Sequence, residues 1–510
     1  MNQGLALEIL LAGESALLTG PAGTGKTYVL NQFIRLSKYE GKHVSVTATT
    51  GLAATHLGGT TIHTWSGIGI NDSLPDGFVD HISKGRRDII EKTDILIIDE
   101  VSMLHDYRLD MVDEVCRIVR KQPDTPFGGI QLIMSGDFFQ LPPINREGSR
   151  TGGFVVESHA WRDLDPIILY LDDQYRQDEN DDLYDILTHL RAGDLRRRHA
   201  ELLLARADET PPPTSSLTEL HTINVDVDRI NNQQLERLPG DEVAYDQHTT
   251  GSVSYVESLQ RSVLAPATLT LKKGALVMAV KNDTNRRYAN GSIGTVVAFE
   301  NGSDYPVVEF HSGRTVTMMP DTWELRDGDK KRASISQIPL RLAWAITVHK
   351  SQGMTLDIAR IDLTKAFVPG MGYVALSRVK KLSNLYLTGI NRMALQVSEQ
   401  AQEIDSQLRR QSVAAAKRFS HLHQKAVKRK DEGVGPKKKK QPSGSWAQKI
   451  AVMRETYPQA YMLWTEADDA TLKTDFLGGA DIMMLSKKLG RHEGSIRMRL
   501  QKHFGEDMVA

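Results

Sequence analysis

Residues 20–27 read Gly-Pro-Ala-Gly-Thr-Gly-Lys-Thr, a complete phosphate-binding loop of the G-x-x-x-x-G-K-[ST] form. Gly20, Gly23 and Gly25 let backbone N–H groups, that of Thr24 among them, wrap a polyphosphate. The helix that must follow adds the positive end of its dipole. In such a loop Lys26 reaches the β- and γ-phosphates and Thr27 offers its hydroxyl to Mg²⁺; Lys26 reads as a loop charge. About 75 residues on, the apolar run Ile95-Leu96-Ile97-Ile98 ends in Asp99-Glu100. Carboxylates at the end of such a strand suit metal binding by Asp99 and activation of an attacking water by Glu100. A third strand, Ile130 to Asp137, leads to Gln140, whose amide can sense a γ-phosphate. Arg176 and Arg378 are candidates for stabilising transition-state charge from a second domain. Among 63 Lys and Arg, one arginine is ordinarily a solvated surface group. The surrounding residues, Gln174 to Gln177 and Tyr373 to Arg378, single these two out.

These groups need a scaffold of parallel strands alternating with helices, because only strand ends in register bring such distant residues to one edge. Ala16-Leu17-Leu18-Thr19 reads as the strand before the loop, and Tyr28 to Ile34 has helical spacing after it. The fold class expected is α/β. At 510 residues the chain is too long for one core, so several domains are expected. The net charge of −1 hides a basic run. Residues 417–440 carry ten Lys/Arg against two acids, +8 locally, leaving the rest near −9. One cysteine, Cys116, excludes a disulfide framework and a Cys-based zinc site, and its apolar-periodic neighbours mark it as a core thiol. The apolar runs fall short of a membrane span, and the nucleotide loop begins almost at once, so a cytoplasmic, nucleoid-associated protein is expected.

Beyond these groups the chain resembles superfamily-one helicases. Thr47 to Ala54 with Gly58 to Trp65 looks like motif Ia, and Asp99-Glu100 like motif II. Gly136 to Pro143 is similar to motif III, and Tyr175-Arg176-Gln177 to motif IV. Thr347 to Leu356 resembles motif V, and Tyr373 to Arg378 motif VI. Asp113 to Lys121 followed by Pro126-Phe127-Gly128-Gly129-Ile130-Gln131-Leu132 resembles the signature of the Pif (petite integration frequency) DNA helicases, bacterial or phage type. RecD-type relatives share the motifs but lack that element.

The resemblance implies an ATP- and Mg²⁺-dependent helicase acting on single-stranded and forked DNA, moving 5′-to-3′, in replication, recombination or repair. It implies an adenine contact from Gln3, further nucleotide contacts from Gln352 and Gly353, and γ-phosphate contacts from Gln140, Arg176 and Arg378. Thr49, His63, Thr64, Thr347, His349 and Lys350 match positions lining a single-strand groove. A RecD-like subunit of a larger machine and an ATP-switched DNA-binding regulator are the competing readings.

Two RecA-like domains are expected, at 1–170 and 171–392. A polar insertion at 66–92 is a strand-separating wedge by resemblance, and a surface loop and helix by its residues alone. Short strands at close spacing argue a β subdomain at about 285–336, SH3-like by resemblance. Residues 393–430 read as one helix ending in the basic run. A flexible linker follows to 445, its Lys437 to Lys440 either holding DNA or solvated. Residues 446–510 resemble a trihelical helix-turn-helix module. Its Arg497 and Arg499, beside Arg491, face either DNA or a replication or repair protein. A monomer without membrane contact is expected.

Overall fold

A computed structural model of the chain describes residues 1–504 except 70, 146–149, 212–216, 261–262, 284, 286, 289, 328–329, 433–455, 460–461 and 463. The chain divides into two compact units, Met1–Val434 and Gly435–Ala510.

In the larger unit, six strands form an all-parallel sheet: β1 (Ala16–Thr19), β2 (Val44–Ala48), β3 (Thr60–Thr61), β4 (Ile95–Asp99), β5 (Gln131–Gly136) and β6 (Ile167–Tyr170). Their order is β3-β2-β4-β5-β1-β6. The central strands are apolar on both faces because helices cover each side. Register does the positioning. Thr19 pairs with Gly136 and Ala48 with Asp99, so the loop after β1, the Asp99 carboxylate and the segment after β5 share one edge. A second parallel sheet takes β7 (Thr218–His221) with strands Ala345–Thr347, Ala359–Leu363 and Leu385–Ile390. Among the described residues, no helix is long and apolar enough to cross a membrane.

The segment Pro126-Phe127-Gly128-Gly129 has a structural cause. Phe127 and Gly128 both take left-handed backbone, with φ of 50° and 57°. The Phe127 N–H donates to the Asp113 carboxylate, and Arg120 Nε donates to the Gly128 carbonyl at 2.6 Å. A Cβ on Gly128 would meet the Cys116 carbonyl at 2.7 Å. The element is thus a clamp between helix Asp106–Val119 and the entry to β5. Cys116 is fully buried, and burial pushes its thiol well above the usual range.

Within 66–92, a short turn Phe78–His81 and helix Lys84–Lys92 are seated by the buried Ile68, Ile82 and Ile90. The strands around 285–336 fall into two sheets. Ile293–Phe299, Pro306–Phe310 and Thr315–Thr317 join Leu276–Ala279 and Leu340–Leu342 in a five-stranded antiparallel sheet. The hairpin Asp321–Asp327/Lys330–Gln337 pairs instead with His248–Gly251.

The single helix expected over 393–430 is broken. Helix Glu399–Arg418 stops at Phe419, a 3-10 turn covers Ser420–Leu422, and a second helix runs His423–Glu432. Phe419 is only 6% exposed because it enters the apolar cluster of Leu5, Ile9 and Leu10. Burying that ring redirects the chain.

The smaller unit has helices Glu466–Leu477, Ile482–Leu489 and Glu493–Phe504 around Leu472, Leu485, Ile496 and Leu500. Thr465 and Asp468 form a capping box, and Gly490 ends the middle helix in left-handed backbone. The basic surface expected here is smaller than its sequence implies. Arg491 is buried, donates to Asp468 at 2.9 Å and lies over the Trp464 ring. Arg499 grips Asp469 with Nε and Nη2, holding that carboxyl well below its usual range. Arg497 stays exposed. The linker expected at 433–445, with Lys437 to Lys440, lies outside the described residues.

Candidate functional site

The phosphate loop opens where β1 ends and closes where helix α2 (Lys26–Tyr39) begins. Gly20 has φ +136°, and a Cβ there would stand 2.3 Å from the Leu171 carbonyl oxygen. Gly25 has φ +82°, and its Cβ would collide with the Gln3 amide nitrogen at 2.1 Å. Neither position accepts a side chain. Gln3 Nε2 donates to the Thr24 carbonyl at 3.0 Å, which sets the first residue of helix α1 (Gln3–Leu11) against the loop. The Thr24 hydroxyl is spent locally, donating to Pro21 O at 2.9 Å. Lys26 is not the free loop charge its position implies. Its Nζ folds back onto the carbonyls of Gly20 (2.7 Å) and Pro21 (3.0 Å), and burial lowers its pKa. Thr27 lies on the first turn of α2.

Opposite the loop, Glu100 sits in left-handed backbone (φ 53°, ψ 42°), a conformation that costs a non-glycine residue about 1–3 kcal/mol. Glu100 Oε2 accepts from Gln352 Nε2 at 2.8 Å, so the second half of the chain touches the first here. Burial, and then repulsion from Asp99, push the Glu100 carboxyl up to about 7. Burial also raises Asp99. Gln140 is buried, and its Oε1 has no hydrogen-bond partner among the described residues.

Arg378 is 1% exposed, and its guanidinium is satisfied by neutral acceptors: the carbonyls of Val374, Ser351 and Met354 and the Ser377 hydroxyl. Arg176 Nη1 donates to the Ser377 carbonyl at 3.0 Å. Burial, reinforced by the neighbouring Arg176, lowers Arg378 to about 9, and burial lowers Arg176 as well. Two guanidiniums so close, each held by neutral acceptors among the described residues, have the chemistry that suits a multiply charged anion. Gly353 follows Gln352 in left-handed backbone (φ +78°).

The residues expected to line a single-strand groove fall at or just after strand ends. Thr49 follows β2, and its hydroxyl donates to the Glu100 carbonyl at 3.0 Å, joining that segment to the carboxylate turn. His63 and Thr64 lie on the short helix Ile62–Ser66 after β3. The Thr64 hydroxyl hydrogen-bonds the capping Thr61 at 2.8 Å, and burial lowers His63 to about 4. Thr347 ends its strand, and its hydroxyl accepts from the Lys350 N–H at 3.3 Å. Burial lowers both His349 and Lys350. His349 stacks beside Phe367, which is 56% exposed. Sequence alone does not find Phe367, because an aromatic eighteen residues past His349 carries no local signal.

A second group is equally hidden from sequence. The Tyr373 hydroxyl accepts from the Ala22 N–H of the phosphate loop at 3.0 Å and donates to Asp137 at 3.2 Å. Arg191 binds Asp137 at 2.7 Å, Tyr373 at 3.1 Å and Asp405 at 3.0 Å. Burial alone would raise Asp137, but Arg191 and Lys26 hold it below its usual range. Asp137 and Tyr373 stand inside the segments resembling motifs III and VI; Arg191 has no signal of its own.

A family model described as PIF1-like helicase matches residues 7–200. The ATP-dependent DNA helicase Pif1 of Psychrobacter sp. is 38% identical over 491 residues, covering 85% of this chain and 74% of that protein. The Bdellovibrio bacteriovorus protein of the same name is 34% identical over 397 residues, covering 76% and 88%. Against human ATP-dependent DNA helicase PIF1, identity is 36% over 413 residues, and the match spans 64% of that longer protein. Among solved structures, Pif1 helicase from Candida albicans has TM-score 0.70 at 33% identity, covering 80% of this chain and 98% of that one. Bacteroides sp. Pif1 in complex with ADP-AlF4 has TM-score 0.68 at 30% identity, covering 80% and 96%. With sheet order, phosphate loop and carboxylate turn in place, the chain belongs to the PIF1-like helicase family.

Proposed function

We propose that this chain is an ATP-dependent DNA helicase that moves 5′-to-3′ along single-stranded DNA and opens forked duplex. The carrying observation is the convergence on Glu100 of Asp99 from β4, Lys26 from the phosphate loop, and Gln352 and Arg378 from the second half of the chain. A γ-phosphate among Lys26, Gln140, Arg176 and Arg378 supplies a hydrogen-bonded anion in place of the neutral acceptors that hold the two guanidiniums among the described residues. Binding therefore favours closure of the two sheets on each other, and hydrolysis removes the interactions that favour it. Glu100, protonatable near neutrality, takes the proton of the attacking water.

The donors available for Mg²⁺ are hard oxygens, the Asp99 carboxylate and the Thr27 hydroxyl, which suits that ion. When bound, Mg²⁺ neutralises charge on the β- and γ-phosphates. His63 and His349, both neutral near pH 7, offer hydrogen bonds and stacking to a strand rather than charge. Through Thr49 a shift of the strand reaches the Glu100 backbone. Residues 66–92 are assigned as the strand-separating element, 1–170 and 171–392 as the two motor domains, and 285–336 as an SH3-like insertion.

The purified chain should open a duplex carrying a 5′ single-stranded tail and leave its 3′-tailed partner intact. Equal unwinding of both overturns the direction. Unwinding of neither, with ATPase present, points to a subunit that needs a larger machine.

Removing residues 433–510 should weaken binding to forked DNA more than it lowers ATP turnover at saturating single strand, since the catalytic groups end at Arg378. With Arg491 and Arg499 tied inside the module, binding to phosphates falls to the remaining cations, Arg497 and Lys437 to Lys440 among them. A salt series should show a shallower slope, by about 0.9 for each phosphate no longer neutralised. Identical affinity and slope would make the module a protein-binding element.

A further inference from the structure

The C-terminal arm leaves the second parallel sheet and returns to the first. Helix Glu399–Arg418 lies along β6, where Ser412 Oγ accepts from the Tyr170 N–H at 3.0 Å and Asp405 from the Tyr170 hydroxyl at 2.7 Å. Phe419 is then buried beside α1, and helix His423–Glu432 packs along that helix so closely that a Cβ on Gly4 would stand 3.4 Å from the Ala426 methyl. The Glu8 side chain of α1 is wholly buried. Its carboxylate is met by Arg429 and, at 3.5 Å, by Lys425. Both cations belong to the basic run at 417–440.

The pairing is asymmetric. Glu8 has 0% side-chain exposure, against 27% for Arg429 and 58% for Lys425. Removing the cations leaves a carboxylate at the helix seam without a counter-charge, whereas removing the carboxylate leaves cations that reach solvent. An uncompensated Glu8 draws α1 toward the water that enters where the cations stood. Gln3 opens the same helix and holds the Thr24 carbonyl at 3.0 Å, so any such movement is felt at the phosphate loop.

We propose that helix His423–Glu432 is a positioning element of the nucleotide-base pocket. By neutralising Glu8 it fixes α1, and with it Gln3, so the C-terminal arm sets selectivity for adenine nucleotides. The inference rests on Gln3 being the base contact.

The test uses the full chain and steady-state kinetics with ATP and GTP. Lys425→Ala with Arg429→Ala should raise KM for ATP roughly five- to tenfold, the size of an ordinary coupling between sites. KM for GTP and both kcat values should stay within about twofold, because uniform loosening of packing would move them together. Adding Glu8→Gln should return KM for ATP toward the parent value, since an amide needs no counter-ion. Arg429→Lys, which keeps the charge, should retain the preference and guards against a double variant that fails to fold. Gln3→Ala is the reference and should itself lose the preference for ATP. If it does not, the base-contact reading falls and the proposal with it. If Gln3→Ala loses the preference while the double variant keeps it, the proposal alone is overturned. The proposal is likewise overturned if ATP and GTP move together, or if Glu8→Gln gives no rescue.

Discussion

Lys26→Ala should abolish ATP hydrolysis, by on the order of 10²–10³ in kcat, and unwinding with it. Lys26 lies within electrostatic reach of Asp99, Glu100 and Asp137 together. Its Nζ donates to two backbone carbonyls of the loop, which keeps the ammonium at the loop itself. Removing it leaves the γ-phosphate to Gln140, Arg176 and Arg378, without the cation of the loop itself. Folding should survive. Burial disfavours the Lys26 charge, and alanine removes that charge without opening a core cavity, because the stem lies at the loop and not among the apolar clusters. The paired measurement is ATP turnover against thermal unfolding. A folded variant with near-normal turnover would sink the ATPase assignment.

The legible part of this site is the part set by local chemistry. The phosphate loop, Asp99-Glu100 and the arginine segments each announce themselves through spacing and the apolar strand beside them. What joins them is not legible, because it depends on register and long-range packing. Thr19 beside Gly136 and Ala48 beside Asp99 bring segments some fifty to one hundred and twenty residues apart to one edge. Arg191 looks like any helical arginine until Asp137 and Asp405 close on it. The basic run misleads for the same reason in reverse. Lys425 and Arg429 count as positive charge in composition, yet their partner Glu8 lies more than four hundred residues away in sequence. Arg491 and Arg499 repeat the lesson inside the small unit, where Asp468 and Asp469 take them up. The break at Phe419 has no helix-stopping residue; tertiary burial of one ring overrides a continuous helical pattern.

Glu100→Gln should bind ATP and single-stranded DNA within a few-fold of the parent while hydrolysis falls about 10²–10⁴-fold, the range for loss of a general base. The amide has nearly the carboxylate's shape, and its oxygen can still accept from Gln352 Nε2, which donates to Oε2 at 2.8 Å. It can orient a water but cannot take its proton. The pH profile sharpens the claim. The base works when deprotonated, and burial with Asp99 beside it raises its pKa to about 7. Parent kcat/KM, which reports the free enzyme, should therefore rise about tenfold per pH unit below 7 and level off above it. The residual activity of Glu100→Gln should lack that acid limb, since no carboxylate remains at that position to titrate. Replacing the charge also relieves Asp99 of a like-charged neighbour, so metal and nucleotide binding have no reason to weaken on its account. Turnover and affinity measured separately across pH 5.5 to 8.5 decide the matter: an acid limb that persists in the variant, or lost ATP affinity with normal hydrolysis per bound ATP, removes Glu100 from the proton transfer and leaves it an orienting group only.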